Sequence, residues 1–490
     1  MIWQGERMSE RLPVEILFFG EPFDRGAVIH TLRHLAMRTG WAFRPKAERR
    51  LIYATTEDPM EIPAEDGDLV ILSSQDVKRH MMESRAGIPL RGGCAGRLPF
   101  YHPKGDDFSK RGWIKADVIA GAHALLNLLY ERKNRPEKRD GWMRFSEDWW
   151  TGAGFPKPEP LADCWLNCIA FEAEKIGWPR VERQGKDALI LVPGTVVLTH
   201  DVDYMPTHAN RGLPRFLRAV LRQLLTRRSA GQAWQIMSKY SKAFFQPVPY
   251  NALKSIADEE TILGAISSFQ FTVKRRHRKD PVYDLRSYYN REDDLRNLLH
   301  RGFEICLHGS YRAGRTPGQV TREKIELENI LGVSISGHRQ HYLNFHPATF
   351  FSELSKAGLA YDMSVGYNDM SGPRAGTLFP FRPYDMEGAK PFSLWEIPFI
   401  LMDTTLATTY RFSSGEALEH CIDQIQSVKK SGGCISLIWH QEQLSGLLDP
   451  GFDRIYWALL KKLKERGTRL CSGERLLPAM DELWKVSIEA

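Results

Sequence analysis

Cysteine is scarce in this sequence, and the few cysteines are not paired. Seven cysteines are scattered over 490 residues, and none forms a C-x-x-C motif. An odd number of dispersed thiols is typical of a reduced, intracellular chain and argues against a disulfide framework.

Long apolar runs are also absent. No stretch approaches the ~18 apolar residues that a membrane-spanning helix needs. The segment VEILFFG near the N-terminus is too short for the apolar region of a secretory signal, and Glu15 interrupts it. We therefore expect a soluble, cytoplasmic protein.

The chain carries no strong excess of charge. Its formal net charge of +7 suits an anionic glycan, a lipid headgroup surface or nucleic acid, without deciding among them. Because no DNA- or RNA-binding signature accompanies this excess, we expect no nucleic-acid partner.

Apolar residues are abundant enough for large cores, at 42% of the chain. In the first ~190 residues, VEILFFG and DLVILSS read as strands, GAVIHTLRHLAMRTG as a helix ended by Gly40, and ADVIAGAHALLNLLYER as a longer helix. We place a boundary near Gly194, which predicts an N-terminal α/β domain at 1–193 and a second domain at 194–490.

Strands and helices alternate from residue 195 onward. The predicted strands are TVVLTH, FEICLHG, SISGHRQHY, YDMS, LWEIPFI and CISLIWH. The helices between them include REDDLRNLLHRG, TREKIELENILG and SGEALEHCIDQIQSVKKSGG. Such alternation predicts a parallel sheet, open or closed into a barrel, with its chemistry at the C-terminal ends of the strands.

Polar residues stand at five of these strand ends. They are Asp201 and Asp203, His308, Arg339 and His341, Asp362, and His440. The two aspartates in VVLTHDVDY project to one side of an extended chain, and carboxylates this close repel unless a cation or a shared proton stabilises them. An isolated D-x-D also fits a solvated loop, but five polar strand ends in series favour a functional site.

These residue types suit a catalytic divalent-metal site. Asp203 and His308 are natural ligands of an ion such as Zn²⁺. Asp201 would then be the base that deprotonates water at the ion, and His440 the acid that protonates the leaving group.

Two further charged residues are expected to support that chemistry. Arg339 would keep Asp201 ionised and oriented by lowering its pKa. Asp362 would orient either His440 or Arg339.

The same segments resemble, in order, the motifs of the polysaccharide deacetylases of carbohydrate esterase family four, the NodB-homology group. THDVD resembles the first motif, EICLHGSY the second, GHRQHYL the third, YDMSVGYND with PRAGTLFPF the fourth, and LIWH the fifth. The resemblance covers about residues 195 to 480. It implies an irregular (β/α) barrel of about seven strands, with Asp201 as base, Asp203 and His308 as metal ligands, Arg339 as the tether of the base, and His440 as acid.

The segments LHGSY, RQHYL and RAGT most resemble those of a branch of that family found in bacterial surface-polysaccharide gene clusters. In that branch an N-terminal domain of unknown role precedes the deacetylase, and residues 1 to 190 resemble it. The resemblance implies a metal-dependent hydrolase that removes N-acetyl groups from an amino sugar of a polysaccharide or its precursor, with Zn²⁺ as the first expectation for the metal.

The sequence departs from the family pattern at two positions. The second motif is normally H-x-x-x-H, but Arg312 stands four residues after His308, and a guanidinium group cannot bind a metal. His200 replaces the usual phenylalanine, and we expect it to pack beside the site.

The third metal ligand is therefore open. We expect His341, because it would point to the same face as Arg339 on a strand predicted over residues 335 to 343. The alternatives are His338, His346 and His200.

Two other functions fit parts of the pattern. D-x-D at a strand end also holds Mg²⁺ or Mn²⁺ in glycosyltransferases or phosphotransferases, but the later histidines and the lack of a Gly-rich phosphate loop argue against them. A non-catalytic glycan-binding scaffold with a degenerate deacetylase site is disfavoured by Asp201, Arg339 and His440, since binding alone needs neither base nor acid.

The segment RGLPRFLRAVLRQLLTRR, at 211–228, combines an apolar stripe with six arginines. It fits a surface helix packed on the domain, or a basic amphipathic helix in peripheral contact with anionic membrane.

Overall fold

A computed structural model represents the chain. It describes residues 11–83, 111–134, 144–180, 194–203, 253–289, 294–444 and 451–488, with 88, 90, 91, 98–100, 102, 103, 221, 234 and 237 in addition. Among these residues, no helix has the length and apolar character to cross a membrane. The predicted basic helix at 211–228 lies outside them, apart from residue 221.

The strands are short, and most belong to two parallel sheets. They are β1 (Leu12–Phe19), β2 (Trp41–Phe43), β3 (Arg49–Thr55), β4 (Leu69–Ser73), β5 (Leu90–Arg91), β6 (Leu98–Pro99), β7 (Trp113–Ile114), β8 (Thr195–Val202), β9 (Ser268–Phe271), β10 (Glu304–Gly309), β11 (Gly337–Gln340), β12 (Tyr361–Asp362), β13 (Tyr384–Asp385), β14 (Lys390–Pro391), β15 (Trp395–Glu396), β16 (Phe399–Met402), β17 (Cys434–Ile438) and β18 (Leu470–Cys471).

Helices connect most of these strands. They are α1 (Arg25–Thr39), α2 (Gln75–Glu83), α3 (Val118–Leu126), α4 (Leu129–Asn134), α5 (Trp149–Gly152), α6 (Leu161–Lys175), α7 (Leu253–Ile262), α8 (Leu285–Tyr289), α9 (Asp294–His300), α10 (Gln319–Leu331), α11 (Phe350–Lys356), α12 (Ser414–Ser431), α13 (Phe452–Glu465) and α14 (Leu477–Val486). Single turns of other helix types cover Pro59–Glu61, Phe145–Glu147, Ala313–Arg315, His341–Leu343, Thr405–Thr409 and Glu474–Leu476.

The N-terminal sheet has the strand order β2-β1-β3-β4-β7, and all its pairings are parallel. Strands β1 and β4 correspond to the predicted strands VEILFFG and DLVILSS. Asp24 caps the start of helix α1, because its carboxylate accepts the Ala27 N–H. As predicted, Gly40 ends the helix, and its backbone is left-handed. The predicted long helix is instead divided into α3 and α4, because the chain turns at Leu128, which has a φ of 50°.

The second sheet has the order β15-β12-β11-β10-β9-β8-β17-β16, with β18 beside the start of β8. Residues 395–402 supply both edges of this order, since β15 pairs with β12 and β16 pairs with β17. The sheet thus curls into an irregular barrel. Residues 395–402 act as one interrupted strand, which brings the number of barrel strands to seven. The predicted α/β barrel with a preceding N-terminal α/β sheet is confirmed.

Alternation along the strands separates the two faces of the barrel sheet. One face carries the apolar cluster of Val197, Cys306, Tyr361, Met363 and Ile397. The other face carries Val196, Leu198, Ile435 and Leu437, which share an apolar cluster with residues of α12 and α13. Strand β9 was not predicted, because it is only four residues long and places Ser268 and Gln270, both polar, in alternation with phenylalanines.

One predicted strand is shorter than expected. Residues 335 to 343 do not form a continuous strand, since β11 ends at Gln340 and a single helical turn follows. The cause is a left-handed backbone at Tyr342 and Leu343, whose φ values are 57° and 52°. His341 therefore lies just beyond the strand. The proposed boundary near Gly194 remains a prediction, because residues 181–193 lie outside the described part.

A buried ion pair connects the N-terminal region to the barrel. Arg374, in the segment after β12, binds Glu131 of α4 through Nε at 2.8 Å and through Nη2, and both side chains are almost fully buried. Arg374 also donates to the Gly366 carbonyl oxygen at 3.1 Å. The two regions additionally share one large apolar cluster.

We expect Glu131→Gln to destabilise the chain by about 3–5 kcal/mol, since it leaves the Arg374 charge buried without its partner. The matched control is Asp76→Asn in the Asp76–Arg79 pair, whose side chains are 72% and 70% exposed. That control should change stability by less than about 1 kcal/mol. Urea unfolding of the full chain measures both, and equal effects would contradict a structural role for the buried pair.

Candidate functional site

The C-terminal ends of the barrel strands gather the predicted polar residues at one mouth. Asp201 is the seventh residue of β8, and Asp203 follows its end. His308 lies near the end of β10, Arg339 near the end of β11, and His440 shortly after β17. Parallel strands bring these ends to one edge of the sheet, so residues far apart in sequence become neighbours.

Asp203, His308 and His341 form a compact group. Asp203 Oδ1 lies 3.6 Å from His308 Nε2, and Asp203 Oδ2 lies 3.6 Å from His341 Nε2. One ligand atom from each residue lies within 4.8 Å of the others. Both histidines are buried, and the Asp203 side chain is 21% exposed. The group could therefore bind a metal ion.

The atoms of this group that face each other fit a metal. His308 donates from Nδ1 to the Arg339 carbonyl oxygen at 3.1 Å, which leaves Nε2 as the acceptor. His308 Nε2 and Asp203 Oδ1 are buried without a hydrogen-bond partner among the described residues. Two imidazole nitrogens and one carboxylate are a donor set that suits Zn²⁺. His341 faces Asp280 through Nδ1 at 3.4 Å, so its Nε2 points to Asp203.

Asp203 and the two histidines change each other's pKa values. Burial by itself raises the pKa of Asp203, but His341 and His308 hold it well below its ordinary value. Burial lowers the pKa of His341, but Asp203 and then Asp280 raise it to about 9. Ligand histidines bind metals in the neutral form, so binding here would be accompanied by proton release.

Asp201 is held by Arg339 beside this group. Arg339 Nη1 donates to Asp201 Oδ1 at 2.7 Å, and Asp201 Oδ2 lies 3.8 Å from His308 Nε2. Burial raises the pKa of Asp201, but Arg339, followed by His308 and His440, lowers it below its ordinary value. Arg339 itself is fully buried and donates also to Thr199 and to the Met363 carbonyl oxygen. The contact that the sequence predicted is present.

His440 is paired with an aspartate that the sequence reasoning missed. Its Nδ1 donates to Asp403 Oδ1 at 2.7 Å, and its backbone N–H donates to Asp403 Oδ2 at 2.8 Å. Burial lowers the pKa of His440, but Asp403, followed by Asp201 and Asp203, raises it well above its ordinary value. The raised pKa favours the protonated imidazolium of His440, which can act as an acid.

The predicted role of Asp362 is wrong. Asp362 accepts from His338 Nδ1 at 2.7 Å and contacts neither Arg339 nor His440 among the described hydrogen bonds. The reason is register: His338 and Asp362 are directly paired on β11 and β12, so they share a face, and Arg339 points to the opposite one. The orienting role expected of Asp362 belongs to Asp403 for His440.

The alternative metal ligands lie elsewhere. His338 is occupied by Asp362 on the outer face of the sheet. His200 pairs with Glu260 at 3.0 Å and with the Trp439 carbonyl oxygen at 2.8 Å, away from Asp203. His346 interacts with the Ala348 N–H in the following turn.

Asp280 and Asp403 are the supporting residues that the sequence did not reveal as such. Asp403 comes directly after β16, and this position at the C-terminal end of a barrel strand was the available signal. Asp280 lies nine residues after the end of β9, and because β9 was not predicted, no comparable signal existed.

Comparison with known proteins gives similarity of structure only. No protein-family model matches the chain, and no curated protein matches it significantly in sequence. A putative polysaccharide deacetylase from Mycobacterium smegmatis aligns with 60% of this chain and 92% of its own, at 15% identity and a TM-score of 0.39. A probable polysaccharide deacetylase from Pseudomonas aeruginosa PAO1 aligns with 47% of this chain and 73% of its own, at 14% identity and a TM-score of 0.35.

Puue allantoinase is similar to a comparable extent. It aligns with 51% of this chain and 76% of its own, at 15% identity and a TM-score of 0.36. At these identities and scores the likeness says nothing about activity, which must be inferred from the side chains at the barrel mouth.

Proposed function

We propose that the barrel is a metal-dependent deacetylase that hydrolyses the N-acetyl group of an amino sugar in a polysaccharide or its precursor. The observation that carries this proposal is the pairing of Asp201 with Arg339 and of His440 with Asp403 beside the Asp203–His308–His341 group. Two titratable groups whose pKa values are pushed apart are the usual arrangement of a base and an acid that act on one substrate.

Asp203, His308 and His341 would hold the metal, for which we propose Zn²⁺. A bound divalent ion would polarise the acetyl carbonyl group and favour the ionisation of water. Asp201 takes the proton of the attacking water, and Arg339 keeps the carboxylate ionised and aimed at that position. The water oxygen forms a bond to the acetyl carbon.

His440 completes the reaction by giving its proton to the amide nitrogen as the carbon–nitrogen bond breaks. The products are acetate and a free amine. Because Nδ1–H donates to the Asp403 carboxylate, the proton that the imidazolium of His440 gives up is the one on Nε2. Base and acid are thus supplied by different strands of one barrel.

The two rival functions fit the site less well. A glycosyltransferase or phosphotransferase would hold Mg²⁺ or Mn²⁺ mainly through oxygen atoms, whereas two of the three donors here are imidazoles. A glycan-binding scaffold would need neither the Asp201–Arg339 pair nor the His440–Asp403 pair. Metal identification after purification separates the first rival, and turnover separates the second.

The wider setting of the reaction is also a proposal. The substrate would be an N-acetylated glycan or glycan precursor in the biosynthesis of a surface polysaccharide, and the protein would act in the cytoplasm. The 211–228 segment would bring it to the membrane surface, where lipid-linked precursors are found.

We expect Asp201→Asn to retain the metal and to lose acetate release by about 10²-fold to 10⁴-fold, since a base acts on water and not on the ion. Asp203→Ala, His308→Ala and His341→Ala should lose the metal together with turnover. Metal stoichiometry and acetate release are measured side by side on the same preparations.

The control for this series is His346→Ala, which removes a histidine of the same region that lies outside the group. It should keep both metal and turnover. Equal metal loss in all four site variants would contradict the division of roles between Asp201 and the ligands.

We expect Asp403→Asn to lower kcat by about 10-fold to 100-fold and to move the alkaline limb of the pH–rate profile to lower pH. The acid form of His440 is active, and activity is lost as pH rises through its pKa. Because Asp403 raises that pKa, its removal must bring the loss to lower pH. A profile whose alkaline limb stays in place would show that His440 is not the acid.

If 211–228 meets the membrane, the protein should sediment with vesicles that contain anionic lipid, and added salt should weaken this binding by screening. Arg218→Gln combined with Arg222→Gln should reduce sedimentation. Neutral vesicles are the control, and unchanged sedimentation of the double variant would refute a membrane role for the segment.

A further inference from the structure

A basic loop stands beside the candidate metal group. It comprises residues 274–279, with the sequence KRRHRK, and follows β9 on the side of the barrel that carries the site. The base of the loop is closed by a bridge between Lys274 and Asp284 and by the Leu285 N–H, which donates to the Val273 carbonyl oxygen at 2.9 Å. The two ends of the loop are therefore held together at the C-terminal end of the barrel.

A single carboxylate fixes the basic loop relative to the metal group. Asp280 accepts the backbone N–H groups of Arg276 at 3.0 Å, His277 at 2.7 Å and Tyr311 at 2.6 Å. The same carboxylate lies 3.4 Å from His341 Nδ1. The backbone of the loop is therefore held next to His341, a residue of the metal group.

Among the described residues, the basic loop has more cationic side chains than carboxylate partners. Lys274 pairs with Glu326, and Arg276 pairs with Glu323 and Glu326. Arg275 and Arg278 are exposed, and neither has a carboxylate partner among the described residues.

Lys279 extends the positive charge toward the site. Its ammonium group donates to the Tyr311 hydroxyl at 2.9 Å and lies 5.5 Å from the ring of Tyr342. The Tyr342 ring lies 4.7 Å from the ring of His341 and is 45% exposed. Only one aromatic ring thus separates the Lys279 cation from a residue of the metal group.

The geometry points to a subsite for an oxyanion of the substrate, formed by Arg275, Arg278 and Lys279. This inference rests on the proposed function and adds the class of substrate: an N-acetyl amino sugar that carries a phosphate or a carboxylate group on the same sugar ring. Guanidinium and ammonium groups recognise both oxyanions, and guanidinium does so with paired hydrogen bonds. A neutral sugar offers no opposite charge to these cationic side chains.

The test compares substrates that differ in the anionic group. They are methyl N-acetylglucosaminide, which is neutral, N-acetylglucosamine 1-phosphate, and N-acetylglucosaminuronic acid. The expected result is that the metal-loaded protein has a kcat/KM for at least one anionic sugar that is tenfold or more above that for the neutral sugar, and that added salt reduces this ratio. Which anionic sugar is preferred identifies the oxyanion, and equal values for all three overturn the subsite.

Variants of the basic loop assign the preference to named residues. Arg275→Gln combined with Arg278→Gln should lower the anionic-to-neutral ratio by about tenfold. Arg275→Lys combined with Arg278→Lys keeps the charge and should preserve most of the ratio. The matched control is Lys461→Gln combined with Lys462→Gln, which removes two exposed charges from α13 and should leave the ratio unchanged. A ratio that falls equally in the control and the glutamine variant overturns the assignment.

A binding measurement keeps this inference separate from the proposed function. Calorimetry with the Asp201→Asn protein compares N-acetylglucosamine 1-phosphate with methyl N-acetylglucosaminide in the absence of turnover. If no sugar is deacetylated but the phosphate binds at least tenfold more tightly, and the arginine-to-glutamine changes abolish this difference, the subsite stands and the proposed reaction falls. Equal binding of the two sugars overturns the subsite, whatever the turnover.

Discussion

The arrangement of the site depends on the buried contact between Arg339 and Asp201. Arg339, on β11, connects three other strands. It donates to Asp201 and Thr199 on β8 and to the Met363 carbonyl oxygen just beyond β12, and its own carbonyl oxygen orients His308 on β10. A buried guanidinium without its carboxylate would cost several kcal/mol. The same pairing thus holds the barrel mouth together and keeps the proposed base charged.

Like charges at the mouth are tolerated because each carboxylate has a cationic or potentially cationic neighbour. Asp201 faces Arg339, Asp203 lies between His308 and His341, and the pKa of each aspartate is below its ordinary value despite burial. A divalent ion would replace the protons that otherwise balance Asp203. This explains why an Asp/His/His group, and not a pair of hydrogen-bonded carboxylates, is stable here.

The sequence predicted the barrel and the residues at the strand ends, because strand ends converge in any parallel barrel. It did not predict partners set by register or by loops. Asp362 was misassigned since its pairing opposite His338 is a matter of strand register, and Asp403 was overlooked although it follows a strand. The structure places His341 beside Asp203, but from a left-handed turn beyond β11, which no alternation rule describes.

The N-terminal region supports the mouth of the barrel through a chain of contacts. Arg374 is bound by Glu131, and the segment between β12 and Arg374 in turn contacts the turn at 405–409, where Thr405 donates to the Asn368 carbonyl oxygen. That turn begins two residues after Asp403, the partner of His440. Because packed interiors transmit strain, these contacts connect the packing of the N-terminal region to the position of Asp403. The N-terminal region therefore does not pack independently of the barrel, and its contacts extend to the residues that support the site.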